Sequence, residues 1–241
     1  MISNKKYCLL LTASISPPQQ SFLLRSNHVD RLEDYISALA FWSRMSLPIV
    51  FVDNSNFPLN SIEKERFNNN QIEFLQISNN DVIRGKGYGE VNIIDWALKK
   101  SEIIHNSDMV FKVTGRFKVL NFDRIYNSVL SEKENHFIYA TMSKNFTVAD
   151  SRFYLFAKKH FADYFQKFAD QIDDSKKLYF EHILAKSILL SIADGKKWSM
   201  FPEAPIYKGY YGTSNKKYKH NIIYKIKKKF IYKLKKYFIS K

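Results

Sequence analysis

Cysteine is nearly absent from this chain: Cys8 stands alone among 241 residues. That excludes an internal disulfide and fits a reducing compartment. Cys8 lies in an apolar run, which suits a buried position better than a nucleophile. Glycine and proline are scarce as well, at 7 and 6, so the chain is neither collagen-like nor of low complexity. No run approaches the ~20 apolar residues that a spanning helix requires. The six histidines are scattered, and no cluster has zinc-ligand spacing. The sequence contains no Gly-x-Ser-x-Gly elbow, no dinucleotide fingerprint and no Walker motif.

Acid is missing from one place in particular. Residues 215–241 hold 11 lysines and no Asp or Glu. Without those 11, the formal charge of +15 leaves only +4 on residues 1–214. The chain therefore divides into a nearly balanced body, 1–214, and a basic tail, 215–241. In the tail Ile223, Ile226, Phe230, Leu234 and Tyr237 fall on one helical stripe, with most lysines off it. Such a helix suits an anionic membrane surface. Phosphate contact needs lysines but no sustained Ile/Phe/Leu seam, so nucleic acid is not expected.

The whole chain is 45% hydrophobic and 16% aromatic, and its length is enough for one α/β domain with a sizeable core. Tyr7–Ala13 reads as a buried strand. Val29–Ser43 has helical periodicity, and the Ile49–Val52 run that follows Pro48 suits a parallel strand covered on both faces. Ile62–Asn68 reads as a short helix and Ile72–Ile77 as a strand. Gly85–Gly89 reads as a Gly-rich turn before a helix over Glu90–Glu102. Asp108–Val113 and Phe137–Thr141 read as strands, with a helix over Phe122–Leu130 between them. Phe153–Ile172 and Tyr179–Ala193 read as helical. Alternating strands and helices predict a Rossmann-type mixed, mostly parallel sheet flanked by helices.

In such sheets ligands sit beyond the carboxyl ends of the strands. Four segments fall there: Thr12–Ser16, Asp53–Ser55, Gly85–Glu90 and Thr114–Arg116. Thr12 and Ser14 offer hydroxyls. Asp53 and Asn54 could accept from a ribose or base, or form an Asx turn. Lys86 and Gly87 sit where a helix start favours anions. Lys112, Thr114 and Arg116 suit phosphate recognition or a salt-bridged strand end. Asp150 could cap a helix, accept a substrate hydroxyl or bind a metal. Glu181, beside His182, could act as a general base or answer the helix dipole. Gly212, Thr213 and Ser214 form a flexible, hydroxyl-bearing segment ahead of Lys216 and Lys217.

Together Thr12-Ala-Ser14, Asp53-Asn54-Ser55, Lys86-Gly-Tyr-Gly89 and Glu181-His182 resemble bacterial nucleotide-sugar glycosyltransferases of GT-A type, over roughly residues 7–214. Small capsule, O-antigen and lipooligosaccharide transferases, many ending in Lys/aromatic tails, are similar. The resemblance implies a GT-A-like catalytic domain over 1–214 and a membrane-association tail over 215–241. It implies transfer of a sugar from a nucleotide diphosphate to a glycan or lipid-linked acceptor. Glu181 or Asp150 would be the base, with Arg116 beside the leaving diphosphate. The implied place is the cytoplasm, peripheral to the inner face of the cell membrane. The chain departs from that family at one point: GT-A enzymes usually carry Asp-x-Asp after the fourth strand to hold Mn²⁺ or Mg²⁺. Here Lys112-Val-Thr-Gly-Arg116 stands there and no Asp-x-Asp occurs, so no cofactor is expected. Two other classes remain open. One is a non-catalytic membrane or nucleic-acid adaptor; the other is a nucleotidyl or phosphoryl transferase working at the same strand ends.

Overall fold

The computed structural model describes residues 5–18, 24–60, 65, 67, 72–78, 84–211, 216–218, 230–234 and 236. At the centre is β1 (Tyr7–Ala13). Leu9, Leu11 and Ala13 pack into one core, and Cys8 and Leu10 into the other. With both faces covered, the strand reads in sequence as a continuous apolar run. β2 (Ile49–Asp53) and then β3 (Ile72–Gln76) lie on one side of it, and β4 (Met109–Thr114) on the other, all parallel. Beyond β4 come β6 (Ile138–Tyr139), β7 (Phe153–Ala157) and β8 (Trp198–Ser199). The order is β3-β2-β1-β4-β7-β6-β8, with β7 alone running against the rest. The expected α/β class, a mixed and mostly parallel sheet, is what the chain forms. β5 (Lys118–Val119) and β9 (Tyr207–Lys208) make a separate antiparallel pair above the end of β4.

Helices cover both faces. α1 (His28–Trp42) starts at Asn27, whose side chain accepts from the amides of Val29 and Asp30. Its Leu32, Tyr35, Leu39 and Trp42 join the core of Leu9 and Leu11. α2 (Lys86–Lys100) lies on the opposite face, followed by the single turn α3 (Glu102–His105). α4 (Phe122–Ser131) packs beside α1. α5 (Lys158–His160), a π-helical turn (Phe161–Phe165) and α6 (Gln166–Ala169) run together. α7 (Phe180–Ala193) sends Ile183, Leu184 and Ile188 into the α2 side.

Two expectations are corrected. Phe153–Ala157 is a strand within the sheet rather than the start of a helix. Phe153, Tyr154, Leu155 and Phe156 are all buried, and sheet pairing on both sides outweighs any helical pattern in an aromatic run. The Gly-rich segment is not a loop before its helix: Gly87 and Gly89 form the first turn of α2, with Gly85 (φ 88°) as its cap. Of the expected helix at 62–68, only Glu65 and Phe67 lie among the described residues.

In the tail, residues 230–234 are helical. Tyr232 is buried and its hydroxyl donates to the Phe201 carbonyl at 3.0 Å. Phe230 and Leu234, two members of the expected stripe, are 63% and 42% exposed. Ile223, Ile226 and Tyr237 lie outside the described residues. No helix among the described residues is long and apolar enough to cross a membrane.

Candidate functional site

The chain leaves β1 for β2 and β3 on one side, then returns to β4 on the other. That reversal puts a crevice beyond the ends of β1 and β4. Gly115 closes its floor. Its amide donates to the Thr12 carbonyl at 2.8 Å, and a Cβ there would stand 2.8 Å from that same oxygen. Above this floor is a cleft of about 610 Å³, within the usual size of small-molecule sites. All four strand-end segments singled out in the sequence contribute to its wall.

Of the expected site residues, Thr12, Ser14, Asn54, Lys86, Gly87, Thr114, Arg116 and Glu181 line the cleft. Gly212, Thr213 and Ser214 lie outside the described residues. Asp53, Lys112 and Asp150 are placed differently, and each for a definite reason.

Asp53 is fully buried and ties two loops together. Its carboxylate accepts from the amide of Ile15 at 2.9 Å, the Ser55 hydroxyl at 2.8 Å and the amide of Phe57 at 3.2 Å. It shapes the cleft wall from behind. Lys112 points under the floor and has no exposed surface. Its ammonium pairs with Glu90 and donates to the Ser151 carbonyl at 2.6 Å. A cation so enclosed is not presented to a diphosphate. Asp150 grips Arg152 at 2.7 and 2.6 Å and accepts from the Tyr207 hydroxyl at 3.2 Å. Burial pushes its carboxyl up, but the Arg152 guanidinium more than reverses that and holds it below the ordinary range. A carboxylate so held is a poor base.

Glu181 is situated otherwise. Its Oε1 accepts from the Ser151 hydroxyl at 2.6 Å, and no ion pair among the described residues reaches it. Ser151 thus joins two networks. Its carbonyl anchors Lys112 below, and its hydroxyl orients Glu181 in the cleft. His182 is occupied in capping, with Nδ1 accepting from the amide of Tyr179 at 3.1 Å.

The opposite wall is cationic. Arg31 is buried, with Nε and Nη2 on the Ser14 carbonyl and Nη2 on the Tyr35 hydroxyl. Burial lowers its pKa, and the nearby Arg116 adds to that. Arg116 donates to the Tyr210 carbonyl at 3.3 Å. Among the described residues neither Arg31 nor Arg116 has a carboxylate partner. Arg152, the third guanidinium of the wall, is the one that Asp150 neutralises.

The start of α2 is already taken by an anion of the protein itself. Gly87 donates to Asp174 at 3.3 Å, and a Cβ on Gly85 would lie 2.6 Å from the Asp174 side chain. The glycines thus admit a carboxylate from the 3-10 turn Asp174–Lys176, and Lys86 alone of that segment is exposed.

Sequence reasoning missed Arg31, Asp174, Tyr211 and Tyr218 as cleft residues. Arg31 sits in an ordinary helical pattern, and Asp174 approaches from 87 residues away. Tyr211 and Tyr218 meet through backbone pairing: the Tyr218 amide donates to the Gly209 carbonyl at 3.1 Å and the Tyr211 amide to the Lys216 carbonyl at 2.9 Å. Tyr218, on the tail side of the boundary expected at 214, lines the cleft.

The strand-end position where the resembled family places carboxylates for a divalent ion is held here by Thr114, Gly115 and Arg116. Among the described residues no group of three or more His, Cys, Asp or Glu side chains is arranged to hold a metal. The donor set at this position does not fit such an ion.

No protein-family model matches the chain, and no curated protein matches its sequence. Among solved structures, a cytidylyltransferase from Leptospira borgpetersenii is similar at TM-score 0.48 and 12% identity, covering 84% of this chain and 78% of that one. The 4-diphosphocytidyl-2C-methyl-D-erythritol synthase of Anaerococcus prevotii is similar at TM-score 0.46 and 15% identity, covering 96% and 98%. Core-mannan synthase A from Aspergillus fumigatus is similar at TM-score 0.45 and 12% identity, covering 91% and 79%. At these scores the likeness bears on neither substrate nor mechanism.

Proposed function

We propose that this chain is a glycosyltransferase that moves a sugar from a nucleotide diphosphate to a hydroxyl of a glycan or lipid-linked acceptor in bacterial surface polysaccharide synthesis. One observation carries the proposal. Among the described residues, two guanidinium groups without carboxylate partners, Arg31 and Arg116, line the same cleft as a carboxylate that no ion pair reaches, Glu181. Unneutralised guanidinium at a strand-end crevice attracts a dianionic group. A carboxylate oriented by one neutral hydroxyl is positioned to take a proton.

The reaction follows from that layout. The acceptor hydroxyl gives its proton to Glu181 as its oxygen bonds to the anomeric carbon. The bond from that carbon to the diphosphate oxygen breaks, and its electron pair leaves with the diphosphate. Arg116 stabilises the charge that develops there, and buried Arg31 adds positive potential from behind the wall. Ser151 fixes the Glu181 carboxylate for the transfer.

The tail supports a membrane-associated acceptor. Phe230, Ile231 and Leu234 are exposed and Lys233 lies among them. Exposed apolar side chains on a lysine-rich helix suit an anionic surface, and holding the enzyme there raises the local concentration of acceptor. We place the protein at the inner face of the cell membrane, without a nucleic-acid partner.

Thermal-shift measurement against UDP, GDP, CMP and TDP, each with EDTA or Mn²⁺, tests the proposal. A stabilising nucleoside diphosphate is expected in EDTA, worth about 2.7 kcal/mol at a hundred times its Kd. Arg116→Ala should lose most of that shift. Glu181→Gln should keep it while turnover falls about 10²–10⁴-fold. A wild-type chain that no nucleotide stabilises would instead favour the adaptor. Strict dependence on Mn²⁺ would favour a nucleotidyl or phosphoryl transferase.

A further inference from the structure

The nucleotide-donor reading says nothing of where the base lies. The sequence favoured the end of β2, through Asp53 and Asn54. Asp53 is now accounted for inside the protein. The cleft at that end is walled by Thr12, Ser14, Asn54 and Ser55, with Tyr35 turned to bond the Ser14 backbone. Among the described residues it offers hydroxyls, amides and carbonyls but no free aromatic face, which suits a polyhydroxylated group better than a flat one.

A flat surface exists at the other end. Tyr211 and Tyr218 both line the cleft and stack on each other, with centroids 3.9 Å apart and planes at 30°. Tyr218 is backed firmly. Phe117 meets it edge-on at 5.4 Å and Tyr207 lies at 5.7 Å. Arg152 donates to its hydroxyl at 2.8 Å. Burial pushes its phenol up to about 12, against the opposing pull of Arg152, so the ring stays neutral at physiological pH. Among the described residues Tyr211 is stacked on one face, by Tyr218. Among the described residues no other ring or cation stacks on it, and it remains partly exposed. Arg116 is adjacent, because its guanidinium bonds the carbonyl of Tyr210, the residue before Tyr211.

We infer that the free face of Tyr211 is the stacking platform for the nucleobase of the donor, with the diphosphate on Arg116 beside it. Every base has a π-face, and stacking on an aromatic side chain is tolerant of base identity. Tyr218, braced by Arg152 and Phe117, holds Tyr211 flat so that little order is lost when a base arrives. The sugar would then project toward Glu181 and the hydroxyl-rich wall. This placement rests on the nucleotide-donor reading and adds the base site to it.

Binding of the best nucleoside diphosphate and of inorganic pyrophosphate is measured by calorimetry on the full chain, for wild type, Tyr211→Ala and Tyr211→Phe. Tyr211→Ala should weaken the nucleotide about ten- to a hundredfold and leave pyrophosphate within twofold. Tyr211→Phe, which keeps the ring, should bind the nucleotide as wild type does. Thermal midpoints of the unliganded variants confirm that each is folded. Equal nucleotide affinity in wild type and Tyr211→Ala would overturn the platform while leaving the transferase reading intact. An equal loss of pyrophosphate would do the same, by showing general damage to the cleft. Failure of the wild type to bind any nucleotide would remove both.

Discussion

Lys112→Met puts the buried ion pair beneath the cleft to the test. Methionine keeps the length of the stem between Tyr154 and Phe180, whose rings lie 5.8 and 5.9 Å from the ammonium. The charge goes, and with it the pair to Glu90 and the 2.6 Å bond to the Ser151 carbonyl. Removing one member of a buried pair typically costs about 3–5 kcal/mol, because its partner is left uncompensated. Glu90 is 20% exposed and can regain some water, so the lower end, about 3 kcal/mol, is expected. With a urea slope of about 3 kcal/mol/M, the midpoint should fall by roughly 1 M. Glu90→Gln added to Lys112→Met should recover part of the loss, as coupling of contacting residues requires. Nucleotide affinity, measured where the variant is still folded, should change little. Wild-type stability in Lys112→Met together with a collapse of nucleotide binding would refute this reasoning. It would return Lys112 to the diphosphate.

Two more outcomes are expected. His160 is buried with no hydrogen-bond partner on Nε2 among the described residues, and burial lowers its pKa to about 3. Unfolded, it titrates near 6.5. Its folded form therefore binds fewer protons. Stability is fully present above about pH 6.5 and falls by about 1.4 kcal/mol per unit as pH drops toward 3. His160→Leu should flatten that slope and add about 1 kcal/mol at neutral pH by removing the orphaned group, as read by urea unfolding at several pH values. Removing residues 219–241 spares Tyr218 and the cleft. It should leave nucleotide binding in place and abolish sedimentation with anionic vesicles; equal sedimentation of both chains would discount the tail as an anchor.

The sequence carried the sheet and the location of the cleft because both follow from local regularities. Tyr7–Ala13 and Ile49–Val52 read as continuous apolar runs since both faces of a parallel strand are covered. Polar residues gather where such strands end, and the four polar strand ends do meet. Arg116, Thr12 and Ser14 were legible as cleft residues on that ground alone, and Glu181 as a carboxylate at a helix start.

What each charged side chain is joined to was not legible, because it depends on contacts far apart in the chain. Lys112 and Arg116 stand four residues apart and look alike in sequence. Lys112 lies within the strand and is held by Glu90 and the Ser151 carbonyl, while Arg116 lies past the strand's end and lines the cleft. Asp150 and Glu181 were equal candidates for the base. Arg152, next but one to Asp150, claims that carboxylate, and Ser151 turns its hydroxyl to Glu181 from 30 residues away. The glycines before α2 read as an anion site and are one, but the anion is Asp174. The Tyr211–Tyr218 ledge exists only because Gly209 and Tyr211 pair through the backbone with Tyr218 and Lys216. Sequence alone determined which groups could be charged and where strands would end. Tertiary structure decided which charges are cancelled, since an ion pair or hydrogen bond forms between neighbours in space, and those neighbours are chosen by the packing of both cores.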